Sequence, residues 1–169
     1  MAIGAIDQAS DLAPLADLQD KRTLRKLPIK RGQGRQFAAL PLTEKDGETM
    51  VMLVTTRETR RWVLPKGWTE KGLSGAELAA KEAYEEAGIK GEIGTRRVGF
   101  YTYFKVLPNG EELDCKVEVF PLQVNEVLAD WPERGQRERK WFTFAQAAFE
   151  VDDGELVTLL LRLGAPQAA

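Results

Sequence analysis

The amino-acid sequence predicts an α+β fold in which helices pack against a mixed β-sheet. Short apolar segments separated by turn signals indicate strands, and one central segment combines helical spacing with a cap at each end. The chain has 169 residues, of which 43% are hydrophobic and 30% are charged, a balance typical of a single globular domain. We expect a weakly ordered lead-in over residues 1–20, with a short helix over 11–19, followed by one domain over 21–165.

The strands are predicted from apolar runs and from the turns between them. Lys45-Asp46-Gly47 and Pro108-Asn109-Gly110 are typical turn sequences, so each is expected to join two strands. Pro65-Lys66-Gly67 is expected to end a short strand and begin a loop. Strands are expected over 36–43, 50–56, 61–65, 94–107 and 112–124, with a further short strand that includes Trp141 and Phe142, and helices are expected over 145–149 and 155–163.

The clearest helix is predicted over residues 75–87. Ser74 followed by Glu77 forms a capping box at its start, and Gly88 stands where a helix ends. Small residues share a stripe about 100° wide on this helix, which would allow it to lie close against a sheet. The stripe consists of Ala76, Ala79, Ala80, Ala83 and Ala87.

The composition excludes several kinds of active site. The chain contains no histidine and one cysteine, Cys115, so histidine-dependent triads, histidine-ligated metals and cysteine-based zinc sites are ruled out. Carboxylates that hold a hard cation such as Mg²⁺ remain as a common route to hydrolysis. The single cysteine favours a reducing compartment, so a cytoplasmic location is expected. Neither a signal peptide nor a membrane-spanning apolar run is recognisable.

Three glutamates, Glu82, Glu85 and Glu86, stand at positions i, i+3 and i+4 of the predicted helix. They share one helical face beside the alanine stripe, where their like charges repel each other. A divalent cation between them would relieve that repulsion, although a solvated acidic face has the same pattern. The spacing alone leaves both interpretations open.

The segment from Gly67 to Ile89, GWTEKGLSGAELAAKEAYEEAGI, resembles the Nudix box, G-x5-E-x7-R-E-U-x-E-E-x-G-U, in which U is aliphatic. The resemblance implies a Nudix hydrolase with an α/β/α sandwich, a mixed sheet and a loop-helix-loop catalytic motif. It also implies that the catalytic glutamates bind Mg²⁺ or Mn²⁺ and that the Gly67 carbonyl helps to hold the metal. The positions in register are Gly67, Glu82, Ala83, Glu85, Glu86, Gly88 and Ile89.

Two positions depart from the motif. Leu73 replaces the first glutamate of the box, and Lys81 replaces its arginine. In the family, that glutamate and arginine are described as pairing to brace the loop against the helix. Glu77 lies four residues before Lys81, which is the favourable order for a helical ion pair. The brace is therefore in question, whereas the three metal-binding positions are retained.

The resemblance does not identify the general base. One of the three helical glutamates, or a carboxylate from another segment, is expected to take a proton from water. A solvated surface acid is the simpler interpretation of each candidate outside the helix. These candidates are Glu70 in the loop and Glu111, Glu112 and Glu118 around the second hairpin.

Two further segments, RRWVLPKGW (60–68) and VNEVLADWPERGQRERKWF (124–142), resemble the diphosphoinositol polyphosphate phosphohydrolases and the diadenosine polyphosphate hydrolases. The resemblance implies a small-molecule polyphosphate substrate held by several cations. The Pro-Lys-Gly sequence is closer to the second group, and Trp68 could stack on a base, so the two substrates stay unresolved. The expected substrate-binding residues are Arg31, Arg35, Arg57, Lys66, Gly67, Lys116, Arg137 and Arg139.

Two alternative functions are compatible with the sequence. Removal of pyrophosphate from RNA 5′ ends would also use a basic cleft and Trp68, whereas a non-catalytic Nudix sensor would bind a nucleotide and regulate another protein. The enzyme is favoured because all three metal glutamates are present. We expect neither a DNA nor a membrane partner, and RNA is the less favoured substrate. A monomer and a homodimer both fit the sequence.

Overall fold

The computed structural model describes residues 32–168, and within this range one mixed sheet lies between helices. The lead-in over 1–20, its helix over 11–19 and Arg31 lie outside the described residues, so the domain start at residue 21 stays a prediction. The elements are β1 (Gly32–Lys45), β2 (Glu48–Thr55), β3 (Trp62–Val63), β4 (Lys66–Trp68), α1 (Gly75–Ala87), β5 (Ile89–Ile93), β6 (Gly99–Val106), β7 (Glu112–Val127), β8 (Arg139–Thr143), α2 (Phe144–Glu150) and α3 (Gly154–Gly164).

Strand β1 is the centre of the sheet. It runs parallel to β7, from Gly32 opposite Leu113 to Leu42 opposite Gln123, and antiparallel to β2 and β4. Strands β5 and β6 both pair antiparallel with β7, and β3 and β8 both pair with β2. The sheet is therefore mixed, as the sequence predicts.

Two apolar clusters cover opposite faces of this sheet, because successive side chains of a strand point to opposite sides. Phe37 and Ala39 of β1 pack in the cluster formed with α1, whereas Ala38 and Leu40 pack in the cluster formed with α2 and α3. The result is a three-layer α/β/α arrangement. We call the sheet face that carries α1 the α1 face.

The first hairpin follows the predicted turn. Asp46 and Gly47 have φ angles of 53° and 77°, and Lys45 pairs with Glu48 across them. Positive φ at both central residues is the requirement of the two-residue turn that suits the twist of a hairpin, and Asp-Gly meets it at low cost. The second hairpin, between β6 and β7, also turns at the predicted Asn109-Gly110.

Three of the predictions about strands were wrong. Residues 94–98 do not form the start of a long strand, because β5 covers Ile89–Ile93 and β6 begins only at Gly99. Strand β7 extends to Val127, and its last part pairs with β5. Lys66 and Gly67 were expected in a loop, but they form β4 and pair with β1. All three errors concern pairing partners that are distant in sequence.

Among residues 32–168, no helix has the length and apolar character needed to cross a bilayer.

Candidate active site

Helix α1 begins and ends as its sequence predicts. The Ser74 hydroxyl accepts a hydrogen bond from the Glu77 N–H at 3.2 Å, and the Glu77 carboxylate accepts one from the Ser74 N–H at 2.7 Å. Gly88 closes the helix in the left-handed conformation, with φ of 62°. A side chain on Gly88 would also collide with the Trp131 ring. These caps fix the helix that carries the three glutamates.

Strand β4 lies against the glutamate side of α1. A Cβ atom at Gly67 would overlap the Glu82 carboxylate, so only glycine allows the strand to approach this side chain so closely. The Glu86 carboxylate, about one turn further along the helix, accepts the Lys66 N–H at 3.2 Å. Glu82 and Glu86 are thus placed beside two consecutive residues of β4.

The environment of these carboxylates disfavours negative charge. Burial raises the pKa of Glu86 to about 7, even though the charges of Arg137 and Lys66 act in the opposite direction. Burial also raises the pKa of Glu82, and the nearby charge of Glu85 adds to this shift. An additional cation between these groups would be electrostatically favourable.

The donor set fits a hard divalent cation. The three carboxylates and the backbone of β4 offer oxygen ligands, which Mg²⁺ and Mn²⁺ prefer. Glu85 has 38% of its side chain exposed, whereas Glu86 is buried. Within residues 32–168, however, no three acidic or cysteine side chains converge into a preformed cage. One reason is that Glu86 is already engaged by an arginine.

That arginine is Arg137. Its Nη2 donates to Glu86 Oε1 at 2.8 Å, its Nε donates to Glu133 at 2.6 Å, and its Nη1 donates to the Thr55 carbonyl at 3.0 Å. Only 10% of the side chain is exposed. Arg137 was expected to bind substrate, but in this arrangement all three guanidinium nitrogens are bonded within the protein. Substrate binding by Arg137 stays a prediction that would require these bonds to rearrange.

The segment 128–139 satisfies the carboxyl-terminal end of α1. The Glu133 N–H donates to the Glu85 carbonyl at 3.0 Å, and the Trp131 indole N–H donates to the Glu86 carbonyl at 3.2 Å. The last carbonyls of a helix have no partner within the helix and need one from another segment. We call residues 128–139 the capping loop.

Arg139 completes this cap. Its Nη1 donates to the Ala87 carbonyl at 2.7 Å, and its Nη2 donates to the Leu128 carbonyl at 2.7 Å. The guanidinium lies 3.8 Å from the centre of the Trp131 ring. A cation at a helix carboxyl terminus is also favoured by the helix dipole. The geometry therefore gives Arg139 a structural role, and its expected contact with substrate stays a prediction.

A different ion pair replaces the brace of the motif. Lys81 Nζ lies 2.6 Å from Glu70 in the loop and 4.0 Å from Glu85 on the helix. Glu77, the partner considered from sequence, instead bonds to Ser74 in the capping box. Leu73 packs against the apolar cluster under α1. The loop is thus still tied to the helix, from position 70 rather than 73.

The predicted substrate-binding cations do not form one group. Arg35 and Lys116 lie on the α1 face, where Arg35 contacts Glu118 and Lys116 lies over Phe100. Lys66 points to the other face, 5.3 Å from the centre of the Tyr103 ring. Burial lowers the pKa of the Lys66 ammonium, and the charge of Glu86 opposes the shift.

Arg57 lies near the capping loop, 3.8 Å from Glu133. The candidate cations among the described residues are therefore divided between the two faces of the sheet and the neighbourhood of the capping loop.

The candidate bases differ in how strongly they are engaged. Glu70 is paired with Lys81, and Glu118 is held by two arginines. Glu111 is exposed in the second hairpin, and Glu112 has a partner in the structure. No geometry in residues 32–168 singles out one of these four as the proton acceptor, so the base stays unassigned.

Sequence reasoning missed three residues that shape the site. Glu133 and Trp131 bind the end of α1, and Arg97 bonds to Glu118. Trp131-Pro132 before a basic segment is a local signal of a structured loop, but the partner helix cannot be read from it. No local signal pairs Arg97 with Glu118, because the contact depends on β7.

The sequence model of the NUDIX domain matches residues 32–160, which is most of the chain. The chain belongs to the NUDIX domain family. The prediction made from the Nudix box is confirmed, and the mixed sheet between helices is the corresponding α+β architecture.

Curated relatives of this NUDIX chain include plant and animal proteins. "Nudix hydrolase 12, mitochondrial" of Arabidopsis thaliana is 37% identical over 100 residues, covering 57% of this chain and 49% of that protein. Diphosphoinositol polyphosphate phosphohydrolase 3-alpha of Mus musculus is 30% identical over 118 residues, covering 69% of this chain and 68% of that protein. The matched region spans about half the length of the plant relatives Nudix hydrolase 12 and Nudix hydrolase 13 of Arabidopsis thaliana.

Solved structures resemble this chain in fold. The crystal structure of the C. elegans Ap4A hydrolase superimposes with a TM-score of 0.57 at 20% identity, covering 77% of this chain and 95% of that chain. The solution structure of the E. coli ORF135 protein superimposes with a TM-score of 0.56 at 17% identity, covering 82% of this chain and 96% of that chain. At these identities the likeness concerns the NUDIX fold alone.

Proposed function

We propose that this NUDIX chain is a metal-dependent hydrolase of a phosphoanhydride bond in a small, highly anionic molecule. The observation that carries the proposal is the placement of Glu82 and Glu86 against β4, with Glu85 on the same helical face. Family membership supports the reaction class, and the relatives include named hydrolases.

In this proposal, separate groups of residues bind the metal, bind the phosphates and accept the proton of water. Glu82, Glu85, Glu86 and the Gly67 carbonyl hold Mg²⁺ or Mn²⁺. When bound, the cation neutralises charge on the diphosphate and acidifies the attacking water. Lys66 approaches the phosphates from one face of β4, and Arg35 and Lys116 approach from the other. A carboxylate of the site accepts the proton of water.

The substrate is proposed to be a diphosphoinositol polyphosphate or a diadenosine polyphosphate. The mouse relative and the C. elegans structure carry these two names. Trp68, which is 41% exposed, offers a surface for an adenine base, and Lys105 lies 5.1 Å from its ring centre. An inositol substrate has no base to stack on the indole and would contact only the cations. A substitution of Trp68 is therefore expected to affect the dinucleotide and not the inositol substrate.

The experiment is a substrate panel with initial rates measured in Mg²⁺ and in Mn²⁺. The panel contains a diphosphoinositol polyphosphate, diadenosine tetraphosphate and a 5′-triphosphorylated RNA. We expect Glu85→Gln to lower kcat at least 100-fold on the preferred substrate, whereas the matched control Glu92→Gln, an exposed glutamate of β5, keeps the wild-type rate. Equal rates for both variants would refute the metal role.

The panel also tests the alternatives. Preference for the RNA would replace the small-molecule proposal, and tight binding of a nucleotide without turnover in either metal would favour the sensor. A Trp68→Ala variant that loses activity on diadenosine tetraphosphate alone would identify the dinucleotide as the substrate that uses the indole.

A cytoplasmic location is also kept as a proposal, supported by the single cysteine, Cys115, which is buried and free.

A further inference from the structure

A buried carboxylate on β7 holds two arginines from separate segments. Glu118 is 7% exposed, Arg35 of β1 donates from Nη2 to its Oε2 at 3.0 Å, and Arg97 donates from Nη1 to its Oε1. Burial alone would raise the pKa of Glu118, but the hydrogen bonds and charges of the two arginines lower it below the ordinary value. Glu118 is therefore a fixed anion between two guanidinium groups.

Both arginines keep donors available to solvent. Their side chains are 60% and 48% exposed, and each contacts Glu118 through a single nitrogen. A guanidinium carries five N–H donors in a planar fork. Each arginine of this pair can therefore bind an anion while it remains bonded to Glu118.

Aromatic rings lie next to the cations of this group. The Arg35 guanidinium lies 5.0 Å from the centre of the Phe37 ring, and that of Arg97 lies 5.6 Å from the Phe100 ring centre. Lys116 Nζ lies 4.4 Å from the same Phe100 ring centre. Lys116 thus shares the Phe100 ring with Arg97, and three cations with one carboxylate leave an excess of positive charge within this group.

The segment that carries Arg97 is held at both ends. The Gly94 N–H donates to the Pro121 carbonyl at 2.8 Å, and the Val98 N–H donates to the Val119 carbonyl at 2.8 Å. Residues 94–98 therefore follow β7 without being a strand, and they present Arg97 beside Glu118. Placement of the arginine is a property of the backbone as well as of its ion pair.

Stability alone does not explain this arrangement. Ion pairs whose arginines are 60% and 48% exposed contribute little to stability, because water competes with the attraction. A shared carboxylate does fix the spacing and orientation of two guanidinium groups, which is what two-sided recognition of a phosphate requires. The geometry suits a tetrahedral dianion above Glu118.

The arginine pair lies on the α1 face, close to the glutamates. Phe37 pairs with Gly67 in the β1–β4 ladder, and Gly67 contacts Glu82. Arg35 is two residues before Phe37 on the same side of β1, and its carbonyl accepts the Thr69 N–H at 3.3 Å. The two groups are thus neighbours along one strand.

We propose that Arg97, held with Arg35 by Glu118, completes a phosphate-binding subsite that includes Lys116 and takes a phosphate group beyond the bond that is hydrolysed. Arg35 and Lys116 are expected contacts from the family resemblance, whereas the contact of Arg97 with Glu118 comes from the structure. Glu118 is then a positioning residue and not the general base. This inference rests on the proposed function, since it assigns a specificity element to the same site.

The kinetic test compares two substrates that differ only in phosphate number, diadenosine tetraphosphate and diadenosine diphosphate. We expect Arg97→Gln to raise KM for the tetraphosphate about tenfold, with kcat within about twofold and with KM for the diphosphate unchanged. Arg97→Lys should restore part of the loss. The matched control is Arg96→Gln, because Arg96 is the adjacent exposed arginine and is not part of this group.

A binding test separates this inference from the proposed hydrolysis. Tripolyphosphate is titrated by calorimetry into the full chain in EDTA, so that neither metal nor turnover is needed. We expect Arg97→Gln to weaken binding about tenfold and Arg96→Gln to leave it unchanged. The subsite is refuted if Arg97→Gln binds tripolyphosphate as the wild type does, or if both variants lose binding equally.

Inorganic phosphate distinguishes a substrate group from a free anion. If the subsite binds a phosphate of the substrate, inorganic phosphate raises KM for the tetraphosphate in the wild type and has a weaker effect in Arg97→Gln. Weaker phosphate binding in Arg97→Gln with an unchanged tetraphosphate KM would assign the site to a free anion and overturn the substrate assignment.

Discussion

Arg137 and Glu86 form an ion pair in which both side chains are about nine-tenths buried, with Nη2 and Oε1 2.8 Å apart. The same guanidinium bonds to Glu133 of the capping loop and to the Thr55 carbonyl at the end of β2. One arginine therefore joins a candidate metal ligand, a loop and a strand. Its removal would leave Glu86 and Glu133 without their principal cation.

The first prediction concerns this pair. Arg137→Met should lower the free energy of unfolding by about 3 kcal/mol, because an unpaired carboxylate would remain buried. Denaturant unfolding followed by circular dichroism measures the change. Arg134→Met is the control, since Arg134 is 60% exposed and pairs with exposed Asp130, and it should change stability by less than about 1 kcal/mol. Similar losses of unfolding free energy in both variants would show that the buried Arg137–Glu86 pair contributes no more to stability than the exposed Arg134–Asp130 pair.

The second prediction tests the cap on α1. Trp131→Phe keeps a ring beside Arg139 but removes the N–H that binds the Glu86 carbonyl, so it should destabilise the protein by about 1 kcal/mol. Trp131→Ala also removes the ring and should cost about 3 kcal/mol or more. Thermal unfolding of both variants measures the difference. A Phe variant as stable as the wild type would mean that water replaces the indole as donor.

The third prediction concerns Gly67. A methyl group at this position would displace the Glu82 carboxylate, whose flexible end can move, so Gly67→Ala should reduce kcat at least tenfold while changing stability by less than about 1 kcal/mol. Initial rates on the preferred substrate and a denaturation curve give both quantities. Gly154→Ala is the control, because a Cβ at Gly154 would meet no atom within 4 Å. An unchanged kcat in Gly67→Ala would show that the position of the Glu82 carboxylate does not matter for catalysis.

The fourth prediction is a pH dependence that comes from Glu118. The pKa of this carboxyl is lower in the folded protein than its ordinary value of 4.5, because Arg35 and Arg97 outweigh the effect of burial. The stabilisation is therefore fully present above pH 4.5 and is lost as the pH falls through the folded value. The loss of unfolding free energy between pH 7 and pH 3 should be larger for the wild type than for Glu118→Gln. An equal loss would contradict the paired state of Glu118.

Local signals predicted the parts of the fold that depend on local chemistry. The capping box of Ser74 and Glu77, the terminal Gly88 and the Asp46-Gly47 turn all act through hydrogen bonds or φ angles within a few residues. These elements therefore appear in the structure where the sequence places them.

The errors have one physical cause: the pairing of a strand depends on partner strands that are distant in sequence. Strand β4 exists because β1 offers it unpaired backbone groups, and β5 exists because β7 continues past Leu122. Neither condition can be read from the short segment itself.

The site residues show the same difference between local signals, which the sequence reveals, and long-range contacts, which it does not. The Nudix box places the glutamates correctly on one helix, because their spacing is a property of the helix. The partners of Lys81, Arg137 and Arg139 are Glu70, Glu86 and the Ala87 carbonyl, and these depend on how the loops cross the helix. A basic segment such as 134–140 suggests substrate binding, yet much of its charge is used inside the protein.

The capping loop has a consequence for any attempt to move this catalytic motif into another protein. The carbonyls of Glu85, Glu86 and Ala87 are bonded by Glu133, Trp131 and Arg139, so the final turn of α1 is incomplete without the loop. A graft limited to the 23-letter motif would carry Glu85 and Glu86 on a turn that frays in water. The smallest transplantable unit is therefore the whole motif, from Gly67 to Ile89, together with residues 128–139, in a scaffold that keeps their separation.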